Sequence, residues 1–288
     1  QYPEVLEMLL KDHTTQQNIY WATDSYADRG EGYQFKDAII ADSITGDNGM
    51  IIRPRSVKSK DEQTKRSKDM AEVFTPSWVC NAQNNLIDDA WFGKQGVFNA
   101  ESPEHTWKAT TGKIEFPEGK TWKDYVRDTR LEITCGEAPY LVSRYDTVSG
   151  MPIELAERIG LLDRKLRVVS ENTETTGEFL DWCQEAYKNT YGYEWQGDNL
   201  LLAREALLFT FLDYYRAKFG EEPLLKSIQY IAYIISWNVW QMDGLKFCPP
   251  GEEPCEGDLF NPSNLCLIRD WRKPRDKQKI YFKSLLKS

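Results

Sequence analysis

Arg130-Leu131-Glu132-Ile133-Thr134-Cys135-Gly136-Glu137-Ala138-Pro139-Tyr140-Leu141 is the stretch that decides how this chain is read. A short apolar run carrying Glu132 gives way to small residues and a proline, which predicts a strand near residue 130 that ends in a tight turn. In open α/β sheets a ligand sits beyond the carboxyl ends of the strands, and a turn of small side chains lets the backbone approach it closely.

Downstream, Tyr191-Gly192-Tyr193-Glu194-Trp195 is a second short strand that ends in a carboxylate. An acid at such a tip can accept both hydroxyls of a ribose while the next side chain covers a base, which assigns Glu194 to the diol and Trp195 to the ring. A solvated strand end is the alternative for Glu194. A third strand is expected over residues 233–240, leading into Asp243-Gly244-Leu245. Asp243 there could accept from an adenine amino group, or simply close an ordinary Asp-Gly turn. Helices are expected over residues 153–163, 177–189, 200–219 and 224–233, the last two apolar enough to cover the faces of a parallel sheet.

Upstream, Pro76 directly after Thr75 predicts a helix start, since proline's missing amide would be unpaired there in any case. Thr75 then stands near the positive end of that helix, where a hydroxyl and free amides can seat a carboxylate. The alternative is a plain helix cap. Residues 2–12 carry apolar side chains on a helical period, residues 18–22 read as a short strand, and residues 92–127 form a loop-rich insertion.

At 288 residues, with 41% hydrophobic and 13% aromatic content, the chain can build a substantial core. No run of 18 apolar residues is present, so a membrane span is not expected. No basic leader with an apolar signal core opens the sequence, and six cysteines are too few for a disulfide scaffold, which points to the cytoplasm and to free thiols. Cys248, Cys255 and Cys266 lack metal-knuckle spacing and a nearby histidine, so no metal site is expected.

The net charge of -9 restricts any nucleic-acid contact to a local patch or to another chain. Residues 53–68 fit that demand: seven bases, among them Arg53, Arg55, Lys58, Lys65 and Arg66, stand against Asp61 and Glu62. These five are candidate phosphate contacts, with a solvated charged face as the alternative. The expected organisation is an N-terminal region over residues 1–70 with this basic segment, and a ligand-binding domain over residues 71–288.

Taken together, these motifs resemble those of S-adenosylmethionine-dependent amino-methyltransferases acting on DNA adenine. The family's first motif reads Leu-Glu-Pro-Ser/Ala-x-Gly-x-Gly-x-Phe. Glu132, Gly136 and Tyr140 fall in register, with Ile133 in place of the proline and Ala138 in place of the second glycine. Phe74-Thr75-Pro76 with Val79 resembles the Thr-Pro motif that holds the methionine end of the cofactor. Leu201-Leu202-Ala203-Arg204-Glu205-Ala206-Leu207 resembles the helix after the second strand, and Asn238-Val239 with Asp243-Gly244-Leu245 resembles the third motif.

The resemblance implies a modification subunit of a restriction-modification system with DNA as partner. It also implies an α/β fold with a Rossmann-like methyltransferase sheet, incomplete here, preceded by a helical N-terminal region. S-adenosylmethionine would be held by Thr75, Pro76, Glu132, Gly136, Tyr140, Glu194, Trp195 and Asp243.

The family's catalytic Asn/Asp-Pro-Pro-Tyr/Phe motif is not found, and Asn261-Pro262-Ser263-Asn264 is the only near candidate. The expectation is a truncated, split or degenerate methyltransferase that needs a partner or a missing segment for methyl transfer. A non-catalytic DNA-binding or interaction protein is the alternative. In the usual strand order the strand bearing Glu132 lies at an open edge, to be covered by the tail around residues 265–282, by a second copy or by another subunit.

Overall fold

Pro3 in the first turn and buried Val5, Leu9 and Leu10 at helical spacing make residues Pro3–Leu10 the first helix, α1. The computed structural model describes residues 2–70, 72–73, 75–257 and 263–287. Phe74, Asn261 and Pro262 lie outside the described residues. After α1 come α2 (Ala41–Ile44), α3 (Lys60–Met70), α4 (Ser77–Phe92), the strands β1 (Asn99–Ser102) and β2 (Thr106–Ala109), and α5 (Trp122–Arg127). The chain continues through β3 (Arg130–Glu132), α6 (Leu161–Asn172), α7 (Thr176–Lys188), β4 (Thr190–Glu194), α8 (Gly197–Phe219), α9 (Leu225–Asn238) and β5 (Val239–Gln241). It closes with β6 (Leu267–Arg269) and β7 (Lys279–Tyr281).

The architecture is mixed α/β, with a three-stranded parallel sheet in the order β3-β4-β5 and two small antiparallel hairpins, β1-β2 and β6-β7. Leu131 pairs with Tyr191 and Tyr193 with Trp240, which fixes the register and puts these four side chains on one face. On that face Tyr193, Trp240 and Met242 pack against Ile268 and Phe282 of the tail. Buried residues of α6, α7, α8 and α9 form the main core, and Val5, Leu9, Ile19 and Trp21 of the N-terminal region join it. Arg204 of α8, fully buried, fastens these parts together: its guanidinium donates to the carbonyls of Leu9, Lys11, Ser236 and Val239.

Several elements depart from the sequence expectation for identifiable reasons. Residues 233–238 continue α9, and only Val239–Gln241 is strand. The switch falls at Asn238, whose amide group donates to the carbonyls of Tyr187, Lys188 and Thr190 and so ties the helix end to the start of β4. The helix expected over 153–163 begins only at Leu161, because Gly160 is extended and so close to the Leu141 carbonyl that no side chain fits. Residues 18–22 make single bridges, Lys11 to Asn18 and Tyr20 to Ala38, and do not form a ladder strand.

The tail covers the β4–β5 face and not the edge of β3. Arg130 donates its amide to Asn189, so by alternation the backbone groups of Leu131 point outward, and no strand pairs with them among the described residues. Leu131 and Ile133 are 43% and 62% exposed at that edge. No helix among the described residues is long and apolar enough to cross a membrane.

A candidate ligand cleft at the strand tips

Beyond β3 the chain turns through Thr134, Gly136 and Ala138, all with positive φ (46°, 54° and 61°). This curl aims backbone amides at the two acids that end the strands. Glu194 accepts from the Gly136 amide at 2.8 Å and from the Gln196 amide at 3.2 Å. Glu132 accepts from the amides of Tyr140 at 3.4 Å and Leu141 at 3.2 Å. Both carboxylates are buried. Burial pushes Glu132 well above the usual carboxylate range, against the pull of its two amide donors, and burial likewise raises Glu194. Each carboxylate oxygen can accept more than one hydrogen bond, so acceptor capacity remains for a ligand.

These tips open into a cleft of ≈1080 Å³, whose lining includes Thr75, Glu132, Gly136, Tyr140, Glu194 and Trp195. Six of the eight residues singled out as cofactor contacts thus converge, although they span more than a hundred positions of sequence. Trp195 is held by its indole N–H, which donates to the Ala22 carbonyl at 3.0 Å, and Phe35 meets it edge to face at 6.5 Å. Phe35 lines the same cleft.

Two of the eight are placed otherwise. Asp243 accepts from the amides of Leu245 and Lys246, at 2.8 and 3.1 Å, and so closes its own Asp-Gly turn away from the cleft lining. Pro76 is the residue that caps α4 and does not line the cleft. The amide of Ser77 in that first turn is already taken by Asp146 at 2.7 Å.

The basic segment divides in the same way. Arg66 is buried and reaches Glu72 at 2.6 Å, the Gln196 side chain at 2.7 Å and Asp198 at 2.9 Å, so it is an internal counterion rather than a free phosphate ligand. Lys58, also buried, lies 3.6 Å from Asp198. Although burial alone would raise it, Arg66 and Lys58 hold the Asp198 carboxyl below its usual range. Arg55 donates to the Glu72 carbonyl, Arg53 pairs with Glu62 at 3.1 Å, and Lys65 is exposed.

Two acceptors in the lining escaped the sequence reading. Asn84 is fully buried, and its amide group donates to the carbonyls of Tyr140 and Ile159, both at 3.0 Å, which leaves Oδ1 without a hydrogen bond. Glu72 Oε1 also lacks a hydrogen bond, with the Arg55 guanidinium 3.8 Å away. The signal for Asn84 was present: Asn81, Asn84 and Asp88 recur at helical spacing, a polar stripe on the buried face of α4. The cleft lining therefore holds the carboxylates of Glu72, Glu132 and Glu194, with Lys68 as its one cation among the described residues. An unpaired buried acceptor is costly, and a cationic ligand would satisfy it.

Among the described residues, no group of three or more His, Cys, Asp or Glu is placed to hold a metal ion. The chain matches no protein-family model, no curated protein and no solved structure.

Proposed function

We propose that this chain is the S-adenosylmethionine-binding part of an adenine-specific DNA methyltransferase of a restriction-modification system, and that a second polypeptide or a second copy completes it for methyl transfer. The observation that carries the reading is the charge of the cleft. Glu132 and Glu194, Glu72 with Arg66 behind it, and the orphan Asn84 oxygen line a site at the tips of parallel strands, and Lys68 is the one cation of the lining among the described residues. A dinucleotide or nucleoside triphosphate would bring phosphates into that field and be repelled. A sulfonium and an ammonium on one molecule, beside a ribose and an adenine, suit it.

Glu194 would take the ribose hydroxyls on its remaining lone pairs, and the fixed Trp195 ring would cover the adenine. Glu132 and the curled turn at Gly136 shape the backbone against which the ligand rests. Asn84 and Glu72 offer acceptors to its positive groups. When bound, the cofactor would supply the methyl group from its sulfonium. Asp243 has no role in this reading.

The need for a partner rests on the edge of β3. Its outward backbone groups meet no strand among the described residues, and Leu131 and Ile133 are left exposed beside the cleft. Exposed strand edges of this kind are templates for pairing. A strand added there would extend the sheet toward a Rossmann-like methyltransferase sheet and bring the acceptors and stacking ring that hold an extruded base.

The test is transfer of labelled methyl groups to adenine in genomic DNA, first with the purified chain and then with the product of the neighbouring reading frame added. Transfer only in the second case is the expected result. Robust adenine methylation by the chain alone would overturn the requirement for a partner.

A further inference from the structure

At the other end of the parallel sheet, where the chain enters β3 and β4, lies a second cleft of ≈740 Å³. Its walls come from four separate stretches, and they carry cations: Arg127 at the end of α5, Lys188 at the end of α7, Arg269 on β6, and Arg272 and Arg275 just after it. In a chain of net charge -9 this concentration is unexpected on composition alone.

Their pairing is incomplete. Arg127 and Lys188 share one carboxylate, Glu185, at 3.1 and 3.2 Å, and Arg272 pairs with Asp270 at 2.9 Å. Arg269 donates to neutral acceptors, the side chain of Gln278 at 2.7 Å and the hydroxyl of Tyr233. Arg275 is exposed and has no ion pair among the described residues. The cleft thus keeps a positive excess.

The same walls are aromatic. Tyr230 and Tyr233 are stacked at 6.3 Å, and the Arg269 guanidinium lies 4.2 Å from the centre of the Trp271 ring. Trp271 is locked by its indole N–H, which donates to the Asn238 side chain at 2.8 Å. Tyr230 is exposed at the rim, with Lys188 above its ring.

From this combination we infer that the second cleft binds a nucleotide unit of a single-stranded nucleic acid, with phosphates on Arg127, Lys188, Arg269 and Arg275 and a base stacked on the face of Tyr230 that Lys188 uncovers as it turns to a phosphate. Cations alone would suit any anion. Rings interleaved with unpaired guanidinium groups select a ligand that alternates phosphate with a flat apolar base. The cleft is of single-ligand size, in the range of about 300 to 1,000 Å³, and has no room for a duplex. The inference is independent of the cofactor reading, since no residue is shared between the two clefts.

The test is fluorescence anisotropy of a labelled oligothymidylate with the full chain over a range of salt, competed by the duplex of the same sequence and by free thymidine monophosphate. Binding of the single strand should show a slope of log affinity on log salt of about -1.4, since a nucleotide unit presents a phosphate on each side and each phosphate contact on a single strand adds about -0.7. Arg275→Ala should reduce the magnitude of the slope by about 0.7, whereas Tyr230→Ala should keep the slope and weaken binding by about 5- to 150-fold, the loss of one base stack. Both side chains are exposed, so unchanged thermal melting is expected. Equal competition by duplex, monophosphate binding as tight as the oligonucleotide, or no binding at low salt would each overturn the inference. So would loss of binding in an Arg53→Ala, Lys65→Ala variant with no effect of Arg275→Ala and Tyr230→Ala.

Discussion

Replacing Arg66 by alanine tests whether the basic segment serves the interior or a phosphate backbone. The guanidinium donates to Glu72, Gln196 and Asp198, all buried. Its loss leaves two carboxylates inside the protein with Lys58, 3.6 Å from Asp198, as the nearest remaining cation on that acid. The Tyr26 hydroxyl would still donate to Asp198 at 2.8 Å. Removing one partner of a buried ion pair costs about 3 to 5 kcal/mol, because the other charge is left uncompensated. At about 2 to 4 °C per kcal/mol for a chain somewhat smaller than this one, the melting temperature should fall by about 6 to 20 °C.

The pH dependence gives a second readout. Asp198 is held below its usual range in the intact protein, so its contribution is present above the unfolded carboxylate value and is lost as pH falls through the lower folded value. In the variant the same acid is more easily protonated, so the gap between the two proteins should narrow from pH 7 toward pH 4. Calorimetric melting across that range measures both effects. Arg66→Met combined with Lys58→Met, Glu72→Gln and Asp198→Asn should recover much of the loss, since the buried Lys58, which pairs with Asp198, is then neutralised with the rest and no charge is stranded. A melting temperature within about 2 °C of the parent, on the scale just used, together with weakened DNA binding, would refute the structural role and return Arg66 to phosphate contact.

Other outcomes follow from close approaches and from burial. A methyl group at Gly197 would overlap the Tyr20 carbonyl, so Gly197→Ala should destabilise by about 1 to 3 kcal/mol in chemical denaturation, as overpacked sites do. Ala138 is buried with φ of 61°, so Ala138→Gly should come out near neutral, because relief of left-handed strain offsets the lost methyl and the added chain entropy. Ala203→Gly in α8 has no such relief and should cost about 1 kcal/mol or more. Burial alone raises the Glu205 carboxyl to about 7, so its stabilising contribution is complete below the unfolded carboxylate value and is lost as pH rises through 7. Glu205→Gln should therefore gain about 1 to 2 kcal/mol over the parent at pH 8, allowing for partial exposure, and nothing at pH 5.

The parallel pairing of strands near 130 and 193 was legible because each ends in an acid after a short apolar run, and the turn after Glu132 is rich in small residues. Long helices were legible where periodicity was strong, as in α7, or where an apolar run was too long for a strand, as in α8, which is buried on nearly all sides. The start of β5 was not, because Ile234, Ile235 and Trp237 suit a buried helix as well as a strand, and the choice is made by Asn238 reaching across to β4. Arg66 read as solvent-facing charge because its partners Gln196 and Asp198 lie 130 and 132 positions away. Asp243 offered a ligand acceptor and a turn with equal fidelity to its sequence, and local hydrogen bonds decided for the turn. Asn84 carried only a helical polar period, whose meaning depends on the carbonyls of Tyr140 and Ile159 that fold against it.

The measurement that bears most directly on the account is titration calorimetry of the chain with S-adenosylmethionine at several pH values and in buffers of different ionisation enthalpy. Glu132 and Glu194 are raised by burial, so a cationic ligand should drive protons off them on binding. Affinity should increase with pH until both acids are ionised in the free protein, and the heat should depend on the buffer. Glu194→Ala should weaken binding by about 1.5 to 3 kcal/mol for each ribose hydroxyl that loses a charged acceptor. Adenosine triphosphate should bind far more weakly. No heat above background at millimolar S-adenosylmethionine, or tighter binding of the triphosphate, would contradict the claim that this acidic cleft is a site for a sulfonium cofactor.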